Sequence, residues 1–174
     1  MTKLPLIAFG SVFASGIAMP AHATVAVHSI GAAIEMNGLK IEPHYLTGVE
    51  MGSMPMGAMP MDEIHLEVDI HATKTETHGF PEGAWMPYLT VKYTLAKDGS
   101  SFEASGRLTP MTAKLGPHYA TEVRMAGPGT YELSYEISPP SSDALVLHTD
   151  KDIGVPPWWK PFMVHWSFKY PAAN

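Results

Sequence analysis

The sequence contains no cysteine. Disulfides are therefore excluded, as are zinc–thiolate, iron–sulfur and blue-copper centres built on a Cys ligand. Any metal bound by this chain is bound by His, Met and carboxylate. Cationic side chains are scarce as well: 11 Lys and Arg stand against 17 Asp and Glu, a formal net charge of −6. That balance argues against a nucleic-acid partner. Outside the N-terminal segment no window shows the 3.6-residue period of an amphipathic helix, and no stretch is long and apolar enough to span a bilayer. A nucleophile motif, a phosphate-cradling loop and a paired acid/base signature are missing too. An enzyme acting on an organic substrate has no support here. A redox role for a bound metal would be an addition to binding.

What is present starts with an export signal. Lys3 supplies a positive start, residues 4–19 are mostly apolar and small, and Ala21-His22-Ala23 fits the small-x-small cleavage pattern. Gly10, Gly16 and Pro20 interrupt the apolar run, which speaks against a retained anchor. The expectation is a signal peptide over residues 1–23 and a single exported, soluble domain over 24–174, long enough for a real core. All but His22 of the nine His, and all but Met1 and Met19 of the twelve Met, follow Ala23. Thioether oxidation is a liability outside the cytoplasm, so such heavy use of Met calls for a reason.

The most informative stretch is residues 63–72, Glu-Ile-His-Leu-Glu-Val-Asp-Ile-His-Ala. Ile64, Leu66, Val68 and Ile70 occupy one parity, and His65, Glu67, Asp69 and His71 the other. A period of two predicts a half-buried strand with its apolar row on a core. The other row groups imidazoles and carboxylates, which are ligands for divalent metals, although a polar outer row is also ordinary in an antiparallel sheet. Same-face neighbours lie roughly 7 Å apart, so His65 and Glu67 can share an ion, whereas His65 and His71, about 20 Å apart, cannot. One strand supplies at most two ligands.

The rest of the chain reads as further short strands between Gly- and Pro-rich turns. Residues 25–29 read as irregular. Residues 32–36 and 39–46 flank Asn37-Gly38, a type I′ hairpin signal. Residues 48–62 form a loop carrying Met51, Met54, Met56, Met59 and Met61. Strands are expected over 85–96, 101–108, 118–125, 130–138 and 162–170. A loop is expected over 109–117, a hairpin turn at Gly127-Pro128-Gly129, and a long irregular segment over 139–157. About eight short strands predict an all-β sandwich. Met111 and His118 flank the loop that closes at Gly116-Pro117, and His148 lies in the irregular segment. A rigid sandwich presenting loop ligands to a strand-borne His/Glu pair makes a plausible metal pocket. Spacing alone does not bring these residues together, and each has an ordinary packing or surface role as its alternative.

Several segments in register carry a resemblance. They are Ile64-His65-Leu66-Glu67-Val68-Asp69-Ile70-His71-Ala72, Gly83-Ala84-Trp85-Met86-Pro87-Tyr88-Leu89, Pro110-Met111, Gly116-Pro117-His118-Tyr119, Pro139-Pro140, His148-Thr149-Asp150 and Trp158-Trp159-Lys160-Pro161-Phe162. Together they resemble the bacterial periplasmic iron-transport protein family, over nearly the whole mature chain. The resemblance implies an immunoglobulin-like β-sandwich, a homodimer in the periplasm, copper and iron binding, and an inner-membrane iron permease as partner. It also implies a metal site near the dimer interface made of three His and one Met, with a Glu nearby. Carried over by motif, these are His65, His118, His148 and Met111, with Glu67. Family members commonly read His-Arg-His before Thr-Asp. Val146-Leu147-His148 stands here instead, so the chain lacks an imidazole that a second, weaker iron site would draw on.

The ligand types fit that implication. Imidazole suits copper and iron, thioether favours Cu(I), and a His₃Met set with a carboxylate can hold Cu(II) and, less tightly, Fe(II) or manganese. A different expectation attaches to the Met-rich loop. Its Met-x₁₋₂-Met rhythm suits transient Cu(I) capture, which would make the protein a copper-handling one, whereas Met is equally at home filling irregular gaps. A metal-free interaction module of sandwich fold is the remaining alternative. Trp158-Trp159 reads as packing in the core or at the dimer interface.

Overall fold

A computed structural model describes residues 25–49 and 62–172. The signal segment and the five methionines of the Met-rich loop lie outside the described residues. Among the described residues, ten strands form two antiparallel sheets. They are β1 (Ala26–Ser29), β2 (Ile34–Met36), β3 (Leu39–Thr47), β4 (Glu63–Ala72), β5 (Thr90–Lys97), β6 (Glu103–Arg107), β7 (Thr109–Ala113), β8 (Gly116–Arg124), β9 (Gly129–Ser138) and β10 (Phe162–Tyr170). One sheet runs β1-β3-β4-β8-β7, with β2 also paired to β3; the other runs β10-β9-β5-β6. Among the described residues no helix is long and apolar enough to cross a membrane. The expected all-β sandwich is what forms.

Alternation builds the core. The inward row of β4, Ile64, Leu66, Val68 and Ile70, is fully buried, as are Leu39 and Ile41 of β3 and Val91 and Leu95 of β5. Tyr45, Tyr119, Tyr131 and Tyr135 fill the space between the sheets. Asn37 and Gly38 both have positive φ (53° and 77°), as a type I′ turn requires, and a Cβ on Gly38 would sit 2.8 Å from the Glu76 Cα.

Four local expectations are corrected. Residues 25–29, read as irregular, contain β1, which pairs with the end of β3. The alternating run over 85–96 becomes a strand only from Thr90. Before it, Tyr88 has φ 62°, and the Tyr119 hydroxyl takes over the backbone, donating to Met86 O (2.7 Å) and accepting from Leu89 N (3.0 Å). Trp85 stacks on the same tyrosine ring at 5.2 Å. Burial pushes the Tyr119 phenol up to about 12, so it remains a donor at any physiological pH. Residues 109–117, expected as a loop, hold β7 and the start of β8. Gly127-Pro128-Gly129 joins different sheets, because β8 pairs with β4 and β7 while β9 pairs with β5 and β10.

A second connection between the sheets is tighter. β6 lies in one sheet and β7 in the other, and Leu108 alone separates them. Leu108 is buried, and its N–H still donates to Val91 O at 2.9 Å. The chain thus turns a corner from sheet to sheet, a normal device of packed sheets, and delivers Met111 to the same sheet as β4 and β8.

Candidate metal centre

The outward face of the first sheet carries the candidate site. Strand register fixes its composition. On β3, Leu46 stands opposite His65, His44 opposite Glu67, Glu42 opposite Asp69 and Lys40 opposite His71. On the other side of β4, Glu122 stands opposite His65 and Ala120 opposite Glu67. His118 lies two residues from Ala120 on the same face of β8, and Met111 of β7 stands directly opposite it. The small Ala120 leaves room beside Glu67, and there the two imidazoles converge.

His65 and His118 are the buried polar residues of the described fold, 3 % and 6 % exposed. Their rings meet edge to face, with centroids 5.9 Å apart. Glu67 Oε2 lies 3.9 Å from His65 Nε2 and 3.7 Å from His118 Nε2. One donor atom from each of the three residues falls within 4.8 Å of the others. Two metal–ligand bonds of about 2.1 Å span at most about 4.2 Å, so both Glu67–imidazole separations are within reach of one ion.

The outer nitrogens set the tautomers. His65 Nδ1 is 3.2 Å from Glu122 Oε1, and His118 Nδ1 is 3.3 Å from the Gly116 carbonyl. A carboxylate and a carbonyl only accept, so each Nδ1 carries the proton. In the neutral ring that leaves Nε2 as a lone pair. Two imidazole lone pairs and a carboxylate oxygen then face one another in a mostly buried space. This is unfavourable without a positive charge between them and favourable with one. Burial raises the Glu67 carboxyl above its ordinary value of 4.5. His118 opposes the rise, Asp69 adds to it, and His65 and His44 also oppose it.

Of the other two expected residues, Met111 neighbours the trio across the β7–β8 ladder and His148 lies away from it. Met111 is half-buried on β7, sharing a rung with His118. His148 sits in the long irregular segment with its side chain 71 % exposed, Nδ1 3.7 Å from Asp150 Oδ2. It borders a different hollow, with His78, Val146, Ile153, Val155 and Trp158. His71 lies at the far end of β4, bridged to Trp85, and takes no part in the trio. Sequence reasoning missed Glu122 and His44. The first was visible as the residue four beyond His118 in an alternating strand. The second had no signal, because the pairing of β3 with β4 closes across the Met-rich loop.

The sequence model of the Fe2+ transport protein family matches residues 25–172. The chain belongs to that family. A UPF0423 protein of Brucella abortus is 40 % identical over 149 residues, covering 83 % of this chain and 82 % of the relative. Among solved structures, the copper-reconstituted P19 protein of Campylobacter jejuni is 40 % identical with a TM-score of 0.77, covering 84 % of this chain and 97 % of its own. FetP of uropathogenic Escherichia coli, recombinantly expressed in the periplasm, is 39 % identical with a TM-score of 0.76, covering 86 % and 99 %.

Proposed function

We propose that this chain is the periplasmic metal-binding component of an iron-uptake system. After loss of residues 1–23, the domain 24–174 takes up copper and iron (manganese fits the same donors) and works with an inner-membrane iron permease. His65, Glu67 and His118 form the core of the site, Met111 adds a thioether from β7, and His148 of a second copy completes it across a homodimer interface. The observation that carries this reading is the convergence of the His65 and His118 Nε2 atoms on the Glu67 carboxylate, each ring held by a contact behind its Nδ1. Family membership, a copper-loaded relative and a relative expressed in the periplasm support it. The exposed position of His148, outside the trio in its own chain, supports a ligand that acts between copies. Exposed Leu115 and Val27, which line the same cavity as Glu67 and His118, supply apolar surface for the contact.

The donor set explains a dual preference. Two imidazoles and a thioether favour copper, and copper heads the affinity order for such sites; the carboxylate keeps the site open to Fe(II) and Mn(II). The test is titration of the mature protein with Cu(II), read by the visible spectrum and by competition with a chelator. His118→Ala is expected to abolish tight binding with the fold intact by circular dichroism. Met111→Leu, nearly volume-neutral, is expected to shift the spectrum and to weaken Cu(I) more than Cu(II). Wild-type affinity in His118→Ala would sink the assignment.

A further inference from the structure

His148 lies in residues 139–161, which form no strand between β9 and β10. Its own loop is closed locally. Val155 N donates to His148 O at 2.9 Å, and Gly154 N to Asp150 O at 3.0 Å. The Asp150 carboxylate accepts from Asp152 N (3.1 Å) and Ile153 N (3.0 Å). Pro156 and Pro157, whose rings fix φ, then carry the chain to Trp158. There the segment meets a separate cluster. The Trp158 ring stacks on His78 at 4.0 Å, and Trp159 meets the same imidazole edge-on at 5.6 Å. His78 Nδ1 donates to Glu76 Oε1 at 2.7 Å, and its Nε2 faces the Pro157 carbonyl at 3.5 Å. The Glu76 carboxylate also accepts from His78 N (2.8 Å) and Phe80 N (3.0 Å). The Glu76 and His78 side chains are 1 % and 5 % exposed, a depth at which a carboxylate must be fully bonded. Glu76 is seated on the β2–β3 turn: its N–H donates to Thr73 O, Thr73 N donates to Gly38 O, and its Cα fills the place a Cβ on Gly38 would need.

We infer that Glu76 and His78 are positioning residues, which clamp Trp158 and through it hold the loop that carries His148 in the place from which it reaches the metal centre of a second copy. Neither residue belongs to the trio of His65, Glu67 and His118. Their effect is on order. An imidazole on an unpaired segment loses conformational freedom when it takes up a metal, and that loss weakens binding. A loop closed on itself, joined by two prolines to a stacked tryptophan, has lost that freedom in advance. The stack in turn needs a fixed imidazole plane, and the Glu76 carboxylate fixes it. Burial works against the Glu76 charge. The His78 N–H, the His78 ring and the Phe80 N–H outweigh it and hold the carboxyl below its ordinary 4.5, so the acceptor stays ionised at neutral pH. The inference rests on the proposed role of His148 and adds the groups that place it.

The test is a double-mutant cycle on the Cu(II) affinity of the mature protein, measured by chelator competition. His78→Ala is expected to weaken Cu(II) about 10–100-fold, the range for groups that support a ligand from behind. The double variant His78→Ala/His148→Ala should bind no more weakly than His148→Ala alone, because His78 acts only through His148. His78→Phe, which keeps a ring on Trp158 and loses the bond to Glu76, should fall between wild type and His78→Ala, and it serves where His78→Ala does not fold. A second readout needs no metal. Amide exchange of Val155, whose N–H is bonded to His148 O, should speed up about tenfold or more in His78→Ala, the order for loss of a hydrogen bond to a charged group, while the amides of β4 exchange as in wild type. Additive losses in the double variant overturn the inference. So does wild-type copper affinity in His78→Ala where His148→Ala has lost it, and so does unchanged exchange at Val155. Wild-type affinity in His148→Ala itself counts against the proposed function instead, and Val155 exchange then decides by itself whether Glu76 and His78 hold this segment.

Discussion

Glu67→Gln is expected to make the metal-free protein more stable at neutral pH while weakening its copper binding. Glu67 is 13 % exposed, with Asp69 beside it and two imidazole lone pairs in front of it. Burial is the largest cause raising its carboxyl above 4.5 in the folded state. A raised folded value means that the protonated form is the one the fold prefers. Its contribution to stability is fully present below the unfolded value and is lost as pH rises through the folded value. Wild type and Glu67→Gln should therefore be nearly equal in stability at pH 4. They should diverge as pH climbs past 4.5, with the variant ahead at pH 7. Relieving one poorly compensated carboxylate is worth about 1 kcal/mol, or roughly 2–4 °C in Tm for a domain of this length. The assay is thermal unfolding of chelator-treated protein at several pH values, with copper binding measured in parallel. Adding copper should narrow the gap, because wild type gains more binding free energy than the variant. A metal-free variant less stable than wild type at pH 7 would refute the reasoning. It would mean that protonated imidazoles hold Glu67 as a charge.

Glu122→Ala should cost 10–100-fold in copper affinity, in the range known for hydrogen-bond partners behind a ligand. Glu122→Gln should cost less, since an amide oxygen still accepts from His65 Nδ1; chelator competition compares them. Tyr119→Phe should destabilise by about 1–3 kcal/mol, because it strands the Met86 carbonyl and the Leu89 N–H inside the fold, a loss visible in denaturant unfolding. For His148 the test is complementation between copies. His148→Ala and His118→Ala homodimers should each bind copper poorly. An unfolded and refolded equimolar mixture should regain about a quarter of the tight sites, since only one site of each mixed dimer is whole. No regain in a mixture that sedimentation shows to be dimeric would place His148 outside the site.

The parts of this fold that were legible are those set by local chemistry. The parity of residues 63–72 identified both the buried row and the His/Glu row, and Asn37-Gly38 dictated its own turn. What misled was local pattern overruled by distant partners. Pro110 and Pro117 punctuate the chain like loop residues, yet both sit in paired strands, Pro110 on the edge strand β7, where a missing N–H is tolerated. Residues 85–89 alternate like a strand, but the Tyr119 hydroxyl, 30 residues away, satisfies their backbone. Gly127-Pro128-Gly129 is a turn whose flanking strands choose partners elsewhere. The site divides the same way. His65 and Glu67 were adjacent in one alternating row. Bringing His118 to them depends on the register of β8 against β4, which no short window contains, and His44 arrives only through β3.

The corner at Leu108 also has a dynamic consequence. β7 is an edge strand paired on one side only, and such strands ordinarily fray from both ends. Here one end is clamped: Leu108 is buried, and its amide is bonded into the opposite sheet. Opening of the β7–β8 hairpin must therefore begin at its other end, at the exposed tip around Leu115. It proceeds inward like a zipper with a fixed stop, reaching the Met111–His118 rung before Thr109. Amide exchange should accordingly be graded along β7, fastest toward Ala113. If Met111 and His118 are ligands as proposed, they let go of an ion by a short local excursion, while the β4 residues and the core beneath them stay in place.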